Sequence, residues 1–304
     1  MKHKEERVKC KFTKNPLVSI ITPSYNQGQF IEETILSVKN QDYSNIEHII
    51  VDGGSTDNTL EVLKKYEGTY NMCWISEPDE GHADAVNKGF AMAQGEIIGW
   101  LNSDDVYFDR GTISAVVEAF QEHPAADIVY GDCAYIWEDG TILRVQCVPN
   151  FRYSRLLRGC FLAQPAVFFR RHVIENHKLD KRLKIIIDYE YWLRIGDRYR
   201  FHRISRILAA DRNHCRRISV AQADKLKVVS AQLRKQYLRN PSLWLHLQWG
   251  LDKLVSGVPR RIKGLILLLS LTRKKDFAFN AKVILNKHIL KNQLFPKGVE
   301  SLRP

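Results

Sequence analysis

From residue 17 onward, short apolar runs alternate with stretches whose apolar positions recur at helical spacing. The runs at 17–22, 46–51, 72–75 and 97–101 are followed by Pro, Asp, Ser and Asn respectively and read as strands. Between them, 29–40, 58–66 and 82–93 carry helix periodicity, and a further helix over 110–122 leads into a strand at 127–130. Strand, helix and strand in this rhythm predict right-handed βαβ units and a parallel sheet. The rhythm then changes. Segments 134–137 and 142–148 flank the turn Glu138-Asp139-Gly140 and read as a hairpin, so the sheet becomes mixed. A strand at 166–169, a helix at 188–199 and a short strand at 201–208 follow, and beyond 216 the pattern is helical, punctuated by Pro241 and Pro259. The expected organisation is an N-terminal tail (1–16), an α/β domain (17–215) and a helical C-terminal region (216–304).

Composition sharpens this picture at its C-terminal end. With 304 residues, 44% hydrophobic and 26% charged, the chain has the makeup of a folded globular protein rather than a disordered one. Its net charge of +12 is unevenly placed, because residues 1–205 carry net −4 and residues 206–304 carry net +16. A nucleic-acid-binding core is therefore disfavoured, and a near-neutral domain with a basic helical appendix is expected. The six cysteines are scattered without a CxxC pair, as expected of reduced, structural thiols. Residues 1–15 are polar and basic and no N-x-S/T sequon occurs, so no signal peptide and a cytoplasmic location are expected. The longest apolar run, 264–271, is eight residues, against the roughly 18–20 of a membrane span.

Chemistry concentrates just after the apolar runs. In open α/β sheets ligands sit beyond the carboxyl ends of the strands. Those positions carry Thr22-Pro-Ser-Tyr-Asn26, Asp52-Gly-Gly-Ser-Thr-Asp57, Glu77-Pro-Asp-Glu-Gly-His82 and Asn102-Ser-Asp-Asp105. Asp52, between an apolar strand and two glycines, suits either a nucleotide contact or a tight turn closed by Asp57 as helix cap. Adjacent Asp104 and Asp105 repel unless a cation or strong donors lie nearby, and hard divalent ions favour such oxygens together with phosphates. The GxGxxG and Walker A patterns are both absent, which excludes the usual dinucleotide and P-loop readings.

The segments Val18-Ser-Ile-Ile-Thr-Pro-Ser-Tyr-Asn26, Ile50-Val-Asp-Gly-Gly-Ser-Thr-Asp57, Asp84-Ala-Val-Asn-Lys-Gly89 and Gly99-Trp-Leu-Asn-Ser-Asp-Asp105 together resemble the family 2 glycosyltransferases of the GT-A fold. The likeness runs from about residue 17 to about 220. It implies a Rossmann-type mixed sheet flanked by helices, and a nucleotide base held by Thr22, Pro23, Tyr25 and Asp52. It further implies the ribose at Asp104 and a Mg²⁺ or Mn²⁺ ion at Asp105, with His214 closing over the metal or diphosphate. Asp84 and Lys88 resemble positions near the nucleotide and donor sugar, and Gln164 resembles one that touches donor or acceptor. In Ile187-Asp-Tyr-Glu-Tyr-Trp-Leu-Arg194 the likeness makes Asp188 the catalytic base, with Glu190 second. This chain departs from the pattern at Asn102, where the DxD form has Asp, and at Ile187, where a second acid is common.

The implied activity is inverting transfer of a sugar from a nucleotide diphosphate sugar, with uridine the favoured nucleoside. The acceptor is a hydroxyl of a glycan or lipid-linked acceptor in cell-surface polysaccharide or glycolipid synthesis. Inversion needs one carboxylate to take the acceptor proton as the hydroxyl attacks from the face opposite the leaving diphosphate. Two rival readings stand beside it. A sugar-phosphate nucleotidyltransferase should carry Arg and Lys in a glycine-rich loop after the first strand, and residues 22–28 carry neither. A sugar-nucleotide-binding protein without catalysis should not need Asp188. In the basic region, Trp244, Leu247, Trp249 and Leu251 fall near one helical face beside Lys and Arg. They predict either peripheral contact with an anionic membrane surface or a helical cap on the catalytic domain.

Overall fold

The computed structural model describes residues 13–215, 217 and 222–238. Its strands are β1 (Val18–Ser24), β2 (Ile46–Asp52), β3 (Met72–Ser76), β4 (Ile97–Trp100), β5 (Val106–Tyr107), β6 (Ile128–Trp137), β7 (Ile142–Gln146), β8 (Val167–Arg170) and β9 (Phe201–Asn213). The helices are α1 (Ile31–Lys39), α2 (Thr59–Tyr66), α3 (His82–Met92), α4 (Thr112–Glu122), α5 (Tyr153–Leu156), α6 (Arg171–Asn176), α7 (Ile187–Ile195) and α8 (Ala223–Leu238). All nine strands form one sheet in the order β3-β2-β1-β4-β8-β6-β9-β5, with β7 beside β6.

Strands β1 to β4 are mutually parallel, and β1, β2 and β4 are buried along nearly their whole length, as expected of inner parallel strands, while β3 forms the edge. β8 lies antiparallel between β4 and β6, which turns β6 back into the direction of β4, and β9 runs parallel to β6. This direction bookkeeping positions the site: the carboxyl ends of β1, β2, β3, β4 and β9 all open on one edge. Helices α3 and α7 cover one face through Val86, Phe90, Trp192 and Leu193, packed on Ile21, Ile98 and Phe169. α1, α2 and α4 cover the other through Ile35, Leu63, Val116 and Phe120.

The mixed sheet and the hairpin follow expectation, but two strands run longer than their apolar patterns. β6 joins 127–130 and 134–137 into one strand, because Gly131 lets the chain pass a neighbour at which a side chain would clash. A Cβ there would lie 2.6 Å from the Arg206 carbonyl oxygen, and the register shifts beside it. β9 continues through Asp211 and Arg212, two charged residues that are buried and paired. α8 packs Leu233, Tyr237 and Leu238 against the core beneath α7, and the Tyr237 hydroxyl donates to Glu190 at 2.9 Å. Among the described residues no helix is long and apolar enough to cross a membrane. The expected tryptophan-rich basic helices at 242–269 lie outside the described residues.

Gly89 on α3 tests the packing that carries the edge. A Cβ there would lie 2.4 Å from Ile21 Cγ2 on β1. Gly89→Ala gains about 1 kcal/mol of helix propensity but overpacks a filled core, which costs about 1–3 kcal/mol. The expected result is a lower melting temperature, measurable by thermal denaturation, despite the better helix former.

Candidate active site

The loops after β1 and β2 are stitched to each other. Asn26 adopts the left-handed region (φ 52°); its N–H donates to Ser55 Oγ at 2.7 Å and its Oδ1 accepts the Thr56 N–H at 2.9 Å. Asp57 accepts the Gly28 and Thr59 N–H groups, each at 3.0 Å, and so ties the first loop to the first residue of α2, whose N-cap position is Asn58 rather than the expected Asp57. Asp52 is fully buried and accepts four hydrogen bonds, from the Gly54 and Ser55 N–H groups and the Ser55 and Ser76 hydroxyls. Its carboxylate builds the turn. The Thr22 hydroxyl points into the sheet, 2.9 Å from His48 Nε2, and His48 Nδ1 meets the Tyr70 hydroxyl at 2.6 Å. Burial pushes His48 down to about 3, so it is neutral. The Thr22 hydroxyl thus makes a sheet-interior link to His48. Pro23 is buried beside it, whereas Tyr25 is 59% exposed at the edge, against Gly53.

Asp84 is drawn into an ion pair that fastens the loop leading to α7, and Lys88 into one with the loop after β3. Asp84, buried in the first turn of α3, pairs with Lys181 at 2.6 Å and accepts the Glu80 N–H at 3.1 Å. Its Lys181 partner holds its carboxyl below the usual range. Lys88 pairs with Glu77 at 2.6 Å. One helical turn on from Asp84, Asn87 exchanges two 2.9 Å hydrogen bonds with the Leu179 backbone.

The end of β4 sends the two acids of the adjacent pair in different directions. Asp105 is 3% exposed and turned inward, its carboxylate accepting the Arg212 N–H at 3.0 Å and the Asn102 amide at 3.3 Å. Burial, with Asp211 and Asp104 nearby, holds it well above the usual carboxylate range. Asp104 instead meets His214, with Oδ2 2.9 Å from Nε2. The carboxylate beside His214 is therefore Asp104, and Asp105, the residue expected at the metal, is occupied by the protein itself. The difference has a simple cause: consecutive residues in a turn send their side chains different ways, so adjacency in sequence does not place both at one ligand. Gln164 braces this strand end, donating to the Trp100 carbonyl and accepting from the Asn102 amide at 2.9 Å.

Three groups absent from the expected set join the cluster. His82 sits with its ring 5.6 Å from that of Trp100; burial pushes it down while Asp104 and Asp79 pull it back. Asp211, near the end of β9, is raised to about 6 by burial, with Asp104 and Asp188 contributing and its partner Arg217 opposing. For Arg217 burial works against the charge, and Asp211, Asp105 and Asp104 outweigh it. One guanidinium thus sits among carboxylates from β4, α7 and β9. The sequence signal for Asp211 and Arg217 is their nearness to His214, three residues from each.

Asp188 opens α7, whose preceding residue Ile186 adopts the left-handed region at φ 53°. Burial raises its carboxyl and Arg217 draws it back. Glu190 is committed elsewhere, accepting from Arg194 at 2.9 and 3.0 Å and from Tyr237. Of the two acids on α7, Asp188 alone faces the cluster.

Residues 19–187 match the model of glycosyl transferase family 2. The chain belongs to this family. An uncharacterized glycosyltransferase of Rickettsia prowazekii is 30% identical over 207 residues, covering 64% of this chain and 61% of that protein. The hyaluronan synthase of Pasteurella multocida is 27% identical over 228 residues, covering 73% of this chain and 23% of the synthase. The chain thus spans less than two thirds of the length of either relative. S. aureus TarS 1-349 in complex with UDP-GlcNAc shares the fold, with a TM-score of 0.55 at 18% identity over 82% of this chain and 83% of that one. This likeness establishes a GT-A-like architecture.

Proposed function

We propose that this member of glycosyl transferase family 2 is an inverting transferase that moves a sugar from a nucleotide diphosphate sugar, with uridine favoured, to an acceptor hydroxyl. The observation that supports it most is the meeting of Asp104 and His214 at the edge where Asp188 and Arg217 also converge. Family membership and the polysaccharide synthase among the relatives support a glycan or lipid-linked acceptor.

A carboxylate oxygen beside an imidazole nitrogen fits a divalent ion such as Mg²⁺ or Mn²⁺, Mn²⁺ accepting the nitrogen more readily. Among the described residues no group of three or more ligating side chains is arranged to hold a metal. Asp104 and His214 would hold it, leaving positions for the diphosphate oxygens. Such an ion supplies positive charge that offsets the charge developing on the departing diphosphate. Arg217, kept protonated by its carboxylate neighbours, supplies charge of the same sign. Tyr25, exposed at the edge, offers a ring face to the base. Asp188 takes the acceptor proton, for which a carboxylate raised by burial is better matched than an ordinary one. By its charge the basic region from 216 is read as contact with an anionic membrane surface at the cytoplasmic side.

The test is turnover. Incubated with UDP- and GDP-sugars and Mn²⁺, the full chain should release nucleotide diphosphate slowly by hydrolysis and faster with acceptor. Binding of nucleotide sugars with no release in either condition would leave a binding protein, and release of pyrophosphate from a nucleoside triphosphate and sugar phosphate would leave a nucleotidyltransferase.

A further inference from the structure

Arg212 carries a full charge at 1% exposure, and its guanidinium spends its donors on the groups that flank the Asp104–His214 pair. Nε donates to the Asp104 carbonyl at 2.9 Å, Nη1 to the Glu138 carbonyl at 2.7 Å, and Nη2 to the Glu33 carboxylate at 2.5 Å. The guanidinium also lies 5.2 Å from the centre of the Phe30 ring, whose other contact is the His214 ring at 4.9 Å. Its own backbone N–H donates to the inward Asp105. We infer that Arg212 is a positioning residue that sets Asp104 and His214 for a divalent cation. The inference rests on the metal reading of that pair given above.

The physical case is that one rigid group constrains both donors. Holding the Asp104 carbonyl fixes the peptide from which its carboxylate hangs, and the Asp105 anchor fixes the next residue. Phe30, held on the guanidinium by cation–π attraction, backs the imidazole. The Glu138 bond draws in the turn between β6 and β7, and Glu33 does the same for α1, so four parts of the fold meet at one side chain. A planar fork with five donors can serve carbonyls and a carboxylate in different directions at once, whereas a lysine offers one point charge on a flexible stem. A stability role alone does not require this choice, since buried ion pairs are often replaceable by apolar groups without loss.

The experiment measures UDP affinity of the full chain by calorimetry with and without Mn²⁺, with the Mn²⁺ environment read by electron paramagnetic resonance. Arg212→Lys is expected to lower the Mn²⁺-dependent affinity by about 10–100-fold, the range for partners that orient metal ligands, and to leave metal-free UDP binding unchanged. Glu33→Gln, which spares both carbonyl bonds, should stay close to the wild type. Phe30→Leu removes the ring behind His214 and should weaken the metal-dependent component alone, so it decides the matter if Arg212→Lys does not fold. Wild-type Mn²⁺·UDP binding in folded Arg212→Lys, or in Phe30→Leu where only that variant folds, overturns the inference. So does equal loss with and without metal, or a loss in Glu33→Gln as large as in Arg212→Lys. A wild-type protein whose UDP affinity ignores Mn²⁺ instead overturns the metal reading itself, and this inference with it.

Discussion

Asp188→Asn is expected to reduce sugar transfer by about 10²–10⁴-fold, the range supplied by a positioned general base, while leaving donor affinity close to that of the unaltered protein. The substitution keeps the side chain's shape and removes its charge together with the ability to accept a proton. It should not destabilise the fold. Burial raises the Asp188 carboxyl above its ordinary 3.8, so its ionised form is the one the folded state disfavours. A neutral amide therefore removes a cost at neutral pH, and the melting temperature should hold or rise. The same shift fixes the sign of the pH profile. The base acts only when ionised, so kcat/KM should fall as pH drops through a value above the usual carboxylate range, and that acidic limb should vanish in Asp188→Asn. Glu190→Gln is the control, because Glu190 is bonded to Arg194 and Tyr237 and faces away from the cluster. Normal transfer by Asp188→Asn, with loss in Glu190→Gln, would move the base to Glu190.

The parallel half of the sheet was legible because its inner strands are buried on both faces and are followed by turn formers. Apolar runs such as Ile49–Val51, closed by Asp52, Gly53 and Gly54, leave little choice of length. The second half was legible only in outline. β5 is two residues inside an acidic loop, too short to show alternation, and exists because β9 offers it an edge. β9 hides its last turn of strand behind Asp211 and Arg212, whose burial is made tolerable by Arg217 and by Glu33, 179 residues away from Arg212 in the sequence. No local pattern announces a partner that distant. The same limit governs the site. Strand-end placement of Asp52 and Asp104 could be read from where apolar runs stop, whereas Asp84 and Gln164 were singled out by the family likeness alone. Which of their oxygens are free could not, because that depends on donors from other loops: Ser76 for Asp52, Lys181 for Asp84, Arg212 for Asp105.

Replacing the two adjacent aspartates separately should divide metal binding from folding. Asp104→Ala removes the carboxylate 2.9 Å from His214 and leaves every hydrogen bond of Asp105 in place. Its main effect is expected on metal-dependent donor binding and on turnover, by on the order of 10²–10³-fold, the loss typical when one preorganised charge-stabilising group is taken from a reacting centre. The Asp104 carbonyl that accepts from Arg212 is untouched, so the melting temperature should change little. Asp105→Ala should do the reverse in order of cause. It leaves the Arg212 N–H and the Asn102 amide without their buried acceptor, and unmade buried hydrogen bonds cost about 1–3 kcal/mol. Stability falls first, and activity follows only as far as the strand end loosens. Asp105→Asn keeps one acceptor oxygen, so it should recover most of the stability and most of the Mn²⁺ dependence. Thermal melts paired with Mn²⁺ titrations of turnover separate the outcomes. An Asp105→Asn protein that folds normally and has lost its Mn²⁺ dependence, beside an Asp104→Ala protein that retains it, would return the metal to Asp105.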